Sequence, residues 1–200
     1  MVRRLGRVDY AEAWQAMRAY TAARAADGTD QIWLLEHPPV YTLGMAGKPE
    51  HRLRDTGIAL VQSDRGGQIT YHGPGQVVLY LLLDLRRRGY GVRELVRRME
   101  QAVIELLHMH QVAASRLAGA PGVYVDGAKV AALGLRVKGG CTYHGLSLNV
   151  DMDLTPFAAI NPCGYPGMAV TQLRDLGIAL APDAAGEALL GELLRQLDGG

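Results

Sequence analysis

Seven consecutive apolar residues, Val77-Val78-Leu79-Tyr80-Leu81-Leu82-Leu83, constrain this chain more than any other segment. Side chains alternate across a sheet, so a strand-length run with no polar position buries both of its faces. Such a strand requires packed layers above and below it, and helical patterns elsewhere supply them. Val92, Leu95, Val96, Met99, Val103, Leu106 and Leu107 recur at helical spacing, with Arg93, Arg97 and Arg98 falling elsewhere. A first helix is expected over residues 10–26, with Trp14, Met17 and Thr21 on one face and Gly28 as its stop. A last helix follows Pro182 and carries Leu189, Leu190, Leu193, Leu194 and Leu197.

Further strands are expected at 32–35, 58–62, 122–125, 129–137 and 146–150. Asp126-Gly127 separates two of them and reads as a hairpin turn. Past that turn, simple alternation places Lys129, Ala131 and Leu133 on one face and Val130, Ala132 and Gly134 on the other. Hairpins in the middle of the chain, with helices between and around them, predict an α+β fold. The expected architecture is a single domain over residues 1–200, with a mixed, largely antiparallel sheet flanked by helices.

Composition removes several function classes. The 21 basic and 20 acidic residues give a net charge of +1, without the basic excess of a general nucleic-acid binder. No stretch approaches the roughly 18 apolar residues of a membrane span. The first ten residues carry Arg3, Arg4, Arg7 and Asp9 and no apolar signal-peptide segment, so a cytoplasmic protein is expected. Two cysteines, Cys141 and Cys163, are too few for a disulfide framework and are expected as thiols in a reducing compartment.

Four segments rich in glycine, proline and polar residues are where a site is expected: residues 36–44, 65–76, 138–145 and 161–167. Residues 65–76 hold four glycines and one proline, which allow backbone to approach a ligand closely, but no phosphate-loop Gly-Lys-Ser/Thr follows. The plain alternative is a tight turn feeding the strand at Val77. Cys163 stands between Pro162 and Gly164 in a turn-forming context, and reads equally as a nucleophile or as a structural thiol. Lys129 is the natural cation or base to partner it. Cys141 precedes a strand and reads as a core or lining residue. Among six histidines, His37, His72 and His144 fall in site-like segments. His51 reads as exposed, and His108 and His110 suit a helix C-terminus. Zinc ligation lacks the usual Cys/His spacing, so no metal is expected. Arg86-Arg87-Arg88 with Arg93, Arg97 and Arg98 reads first as a solvated surface and second as a docking patch for an acidic partner.

Four motifs in order resemble the lipoyl(octanoyl) transferases, and more widely the catalytic domains of biotin and lipoate protein ligases. They are Arg65-Gly-Gly-Gln-Ile-Thr-Tyr-His-Gly-Pro-Gly-Gln76, Gly127-Ala-Lys-Val-Ala-Ala-Leu-Gly134, Tyr143-His-Gly-Leu-Ser-Leu-Asn-Val150 and Ile160-Asn-Pro-Cys-Gly-Tyr165. The resemblance implies a biotin/lipoate-ligase-like fold and the transfer of an octanoyl group from acyl carrier protein to a lysine of a lipoyl domain. Acceptors would be 2-oxoacid dehydrogenase subunits and the glycine-cleavage H protein. It implies Cys163 as the acyl-thioester nucleophile and Lys129 as its base. Substrate contacts would come from Arg65, Gly66, Gly67, Gln68, Ile69, Thr70, Tyr71 and His72, from Ala132, Leu133 and Gly134, and from Gly145, Leu146 and Ser147, with His144 in a positioning role. Pro166 departs from the small residue found there in many members.

A thioester donor, carried on the phosphopantetheine of the carrier protein, is already activated. No cofactor or metal is therefore expected, nor a nucleic-acid or membrane partner, and the chain is expected to act as a monomer. Backbone N–H groups near Gly67 and Gly134 are candidate oxyanion donors. Six buried methylenes at ~0.8 kcal/mol each make about 5 kcal/mol available for chain recognition. The rival readings are an ATP-dependent lipoate or biotin ligase on the same fold, and a non-catalytic module that binds acyl carrier or lipoyl domains.

Overall fold

The computed structural model describes residues 1–25 and 27–199, the side chain of Cys163 excepted. The chain runs β1 (Val2–Arg7), α1 (Tyr10–Ala23), β2 (Gln31–Glu36), β3 (Val40–Leu43), β4 (Leu60–Gln62), β5 (Ile69–His72), β6 (Gln76–Leu82), α2 (Leu85–Arg88), α3 (Val92–Met109), β7 (Ser115–Leu117), β8 (Ala120–Val125), β9 (Ala128–Lys138), β10 (Cys141–Asn149) and α4 (Pro182–Asp198). Short 3-10 turns lie at Pro49–His51, Thr155–Ala159, Pro162–Gly164 and Arg174–Leu176.

The apolar run forms β6, in the interior of a seven-stranded sheet ordered β1-β2-β6-β10-β9-β8-β7. Its side chains divide between two cores, as the missing polar face requires. Val77, Leu79, Leu81 and Leu83 pack with Leu95, Met99, Val103 and Leu106 of α3 and Leu189 and Leu193 of α4. Val78, Tyr80 and Leu82 pack with Ala13 and Met17 of α1, Trp33 and Leu35 of β2, and Tyr143 of β10. Within this sheet β1 and β2 pair in parallel, and β6 is antiparallel to both of its neighbours; in the smaller sheet β3 and β4 are parallel as well. The fold is α+β with a mixed, largely antiparallel sheet.

A second sheet, β4-β3-β5, holds a third core around Tyr41, Ile69, Tyr71, Met152 and Phe157. Two of its strands arise inside segments expected to be loops, because isolated tetrapeptides such as Ile69-Thr-Tyr-His72 lack a decisive period. Likewise β10 extends back to Cys141 through residues expected to be irregular. The first helix ends at Ala23, capped at its start by the Asp9 carboxylate, which accepts from the Ala11 and Glu12 amides. The expected end at Ala26 lies outside the described residues.

One departure from expectation positions the site. Tyr124 pairs with Lys129 while Val123 pairs with Ala131, so Val130 is an extra residue on β9. This β-bulge breaks the alternation. Lys129 and Ala132 consequently line the same cleft, not opposite faces as the period-2 reading placed them.

Candidate active site

The hairpin turn at Asp126-Gly127 has φ values of 49° and 80°, the left-handed pair that a two-residue hairpin requires, and it delivers Lys129 to the start of β9. Lys129 is 3% exposed. Its Nζ donates to the Pro121 carbonyl at 3.2 Å and lies 5.1 Å from the centre of the Tyr124 ring. Gly122 makes room for it: a Cβ there would stand 3.0 Å from Lys129 Cε and 3.2 Å from Nζ.

The segment after the Asn-Pro-Cys-Gly turn returns to the same place. Lys129 N donates to Ala169 O at 2.8 Å, and Thr171 N donates to Lys129 O at 2.9 Å, so Val170 runs parallel beside it. Lys129, Pro162, Thr70, Gln76, Asn149 and Ala132 thereby line one cleft with about 280 Å³ of empty volume. The turn Pro162–Gly164 is held from outside by Asn161 N, which donates to His51 O at 2.8 Å. A Cβ on Gly164 would meet Gln68 Cγ at 3.1 Å and His51 Nε2 at 3.3 Å. His51, expected to be exposed, is half-buried against this turn. The Cys163 side chain lies outside the described residues, whereas its neighbour Pro162 is in the cleft with Lys129.

Thr70 and Ala132 also line a second, larger slot of about 480 Å³. The slot gathers Arg65, Gly67, Gln68, Ile69, Thr70 and His72 from the glycine-rich segment, Ala132, Leu133 and Gly134 from β9, and His144, Gly145, Leu146 and Ser147 from β10. Gly66 and Tyr71 are not part of its lining. The Gly66 amide donates to Leu135 O at 2.9 Å and docks the loop on β9, while Tyr71 packs on Phe157 in the third core. Tyr10, Val78 and Tyr80 complete the slot and were not foreseen. Tyr10 read only as a helix start, and the β6 residues only as core. Arg65, 8% exposed, ties the loop to β3 through bonds to Thr42 Oγ1 and O and to Gln68 O.

The inner end of the slot is a stack of rings. Tyr10 lies parallel to His72 and His144, with centroids at 5.9 and 6.4 Å. The hydrogen bonds fix each proton. The Val8 carbonyl accepts from His37 Nδ1 at 2.7 Å, so His37 Nε2 accepts from Tyr80 Oη at 2.7 Å. Gln76 donates its amide to Asn149 Oδ1 and Tyr71 O, so its Oε1 accepts from His72 Nδ1 at 2.7 Å. Burial drives both imidazoles down, His37 to about 4 and His72 to about 3. Asp64 is the residue that the sequence reading missed here. It accepts from Trp14 Nε1, Tyr143 Oη and His144 Nε2 at 2.7, 2.5 and 3.0 Å. Burial alone would raise this carboxyl, but those three donors hold it well below the usual carboxylate range. Burial outweighs Asp64 at His144 and lowers that imidazole too, leaving it neutral.

His144 carries φ of 61°, left-handed for a non-glycine residue. That turn keeps its ring on the α1 side with Tyr143, while Leu146 and Leu148 continue into the α3/α4 core. The following residue must be glycine, because a Cβ on Gly145 would sit 2.0 Å from Leu79 O.

Two other segments lie away from the slot. Cys141 is buried at the start of β10 beside Asp84, at the opposite end of that strand from Asn149 and the Lys129 cleft. Arg86, Arg87 and Arg88 follow Asp84 at that far end, ~27 Å along β10 at about 3.4 Å per residue. Arg87 and Arg88 bind Asp30, Arg86 contacts Asp84, and Arg97 and Arg98 bind Glu94. The cluster is a surface knit by local ion pairs.

Comparison with known proteins agrees with this architecture. The chain is similar to a protein named octanoyltransferase from Thiobacillus denitrificans, 68% identical over 98% of this chain and 90% of the relative. A protein of the same name from Dechloromonas aromatica is 64% identical over 99% of this chain and 97% of the relative. In three dimensions the chain resembles a lipoate-protein ligase A crystallised with ATP, with a TM-score of 0.80 at 16% identity over 98% of this chain and 85% of that one. A biotin protein ligase from Aquifex aeolicus follows the same fold, with a TM-score of 0.63 at 14% identity, covering 98% and 70% of the two chains. The model of the lipoyl protein ligase A/B catalytic domain matches residues 9–194, and the chain belongs to that family.

Proposed function

We propose that this protein is an octanoyltransferase, moving an octanoyl group from the thioester of an acyl carrier protein to a lysine of a lipoyl domain. The observation that carries the reading is one connected path. The Lys129 cleft, which holds Pro162 of the Asn-Pro-Cys-Gly turn, adjoins the slot through Thr70 and Ala132. A reacting carbonyl at the cleft therefore has a channel for its alkyl chain. The two relatives named octanoyltransferase share the reading at high identity.

In this mechanism Lys129 accepts the Cys163 thiol proton, and the thiolate adds to the thioester carbon. The tetrahedral intermediate expels the phosphopantetheine thiolate, which takes the proton back from Lys129. The acceptor lysine amine then attacks the Cys163 thioester, Cys163 leaves as thiolate, and Lys129 removes the excess proton from nitrogen. This is ping-pong covalent catalysis on an activated donor, and needs neither ATP nor metal. A buried lysine held on a carbonyl and an aromatic face supports the role, because its amine is positioned before substrate arrives.

Intact-mass analysis after mixing with octanoyl carrier tests the proposal. An octanoyl adduct is expected on the wild type and not on Cys163→Ala. Its absence from active, folded wild type would overturn the reading, as would product formation that depends on ATP and free octanoate.

A further inference from the structure

The inner end of the slot is polar where an alkyl chain would end. Tyr10 Oη is bonded to Ser63 Oγ at 2.6 Å, Tyr80 Oη to His37, and His72 Nδ1 to Gln76, so these polar heads are engaged. His144 differs. Its ring lines the slot and is 1% exposed, and its Nδ1 is buried with no hydrogen-bond partner among the described residues. Because Nε2 donates to the Asp64 carboxylate, Nδ1 of the neutral ring presents a lone pair and no proton. Leaving such an acceptor unsatisfied costs free energy that a donor on the ligand would recover.

Depth along the slot says which part of a chain would meet it. Ala132, at the junction of cleft and slot, pairs with Ser147, and Leu135 pairs with His144. Three residues of strand span ~10 Å. An extended eight-carbon acyl group reaches ~9 Å from its carbonyl, given C–C bonds of about 1.5 Å in a zigzag. The last two carbons therefore arrive at the level of His144.

We propose that His144 Nδ1 is a recognition point for a hydroxyl donor near the end of the acyl chain, so that the slot takes distally hydroxylated medium-chain acyl thioesters as a further substrate class. The left-handed backbone at His144 and the threefold-bonded Asp64 behind it hold the ring in place for that contact. The inference rests on the octanoyl-transfer reading.

The test compares Cys163 loading from carrier thioesters of octanoyl, 7-hydroxyoctanoyl and 7-oxooctanoyl groups. The last two are near-isosteric, but only the alcohol donates. Wild type is expected to load the hydroxy chain about tenfold faster in kcat/KM than the oxo chain, the size of one hydrogen bond. His144→Phe should bring that ratio to within about twofold, because the ring is kept and the acceptor is lost. A wild-type ratio near one with normal octanoyl loading overturns this inference alone. An equal preference in wild type and in folded His144→Phe does the same. Failure to load octanoyl at all overturns the octanoyl-transfer reading as well.

Discussion

Acidification should destabilise this fold through imidazoles that burial keeps neutral: His37, His72 and, held down less by its bond to Asp64, His144. His37 and His72 are fully or almost fully buried, and their pKa values fall to about 4 and about 3 against an ordinary value near 6.5. Between the folded and unfolded values the unfolded chain binds more protons, so stability is present above about pH 6.5 and is lost as pH falls. At pH 5.0 each unfolded imidazole lies 1.5 pH units below its ordinary value, whereas each folded one is still neutral. At 1.36 kcal/mol per unit, that is about 2 kcal/mol per histidine and about 4 kcal/mol for the pair. For a chain of this size it corresponds to a fall in Tm of about 8–16 °C. Asp64 adds nothing in this window, because it is ionised in both states at pH 5.0. Urea unfolding at pH 7.5 and pH 5.0 measures the difference directly. His37→Gln should recover about 2 kcal/mol of the acid-induced loss, whatever its own cost at pH 7.5. A wild-type difference below about 1 kcal/mol would refute the reasoning, as would an unchanged pH slope in the variant.

Three further outcomes follow from the same geometry. Gly122→Ala sets a methyl against Lys129 Cε and Nζ and the Ala131 carbonyl, and should cost about 1–3 kcal/mol in thermal melts while lowering kcat more than KM. Ala132→Leu fills the junction shared by cleft and slot, and should suppress octanoyl loading of Cys163 by more than about tenfold with Tm changed by only a few degrees. Asp30→Ala strips the carboxylate from Arg24, whose side chain is 3% exposed, and from Arg87 and Arg88. It should cost about 3–5 kcal/mol in denaturant melts without changing the chain-length profile.

Much of the architecture was legible because it is written in local periodicity. The unbroken apolar run could only be a strand covered on both sides, and the heptad-like leucines could only be helices laid on it. Asp126-Gly127 announced its hairpin through the positive φ that such turns demand. Most of the third core stayed hidden: β3 and β5 are four residues each and sit in segments rich in glycine and proline, and β4 alone fell within an expected strand. The edge strand β1 was equally silent, since Val2-Arg-Arg-Leu-Gly-Arg7 alternates poorly and is half-exposed.

The sequence by itself determined the chemistry available: one cysteine in a Pro/Gly turn, one lysine after a hairpin, and the glycine motifs around them. Tertiary structure alone decided their geometry. Only pairing with β8 reveals that Val130 is bulged, and that single inserted residue moves Lys129 onto the face of Ala132. Only folding brings Asp64 to His144, 80 positions later, and fixes which nitrogen holds the proton. Register and long-range hydrogen bonds depend on partners distant in the chain, and no local pattern of residues encodes them.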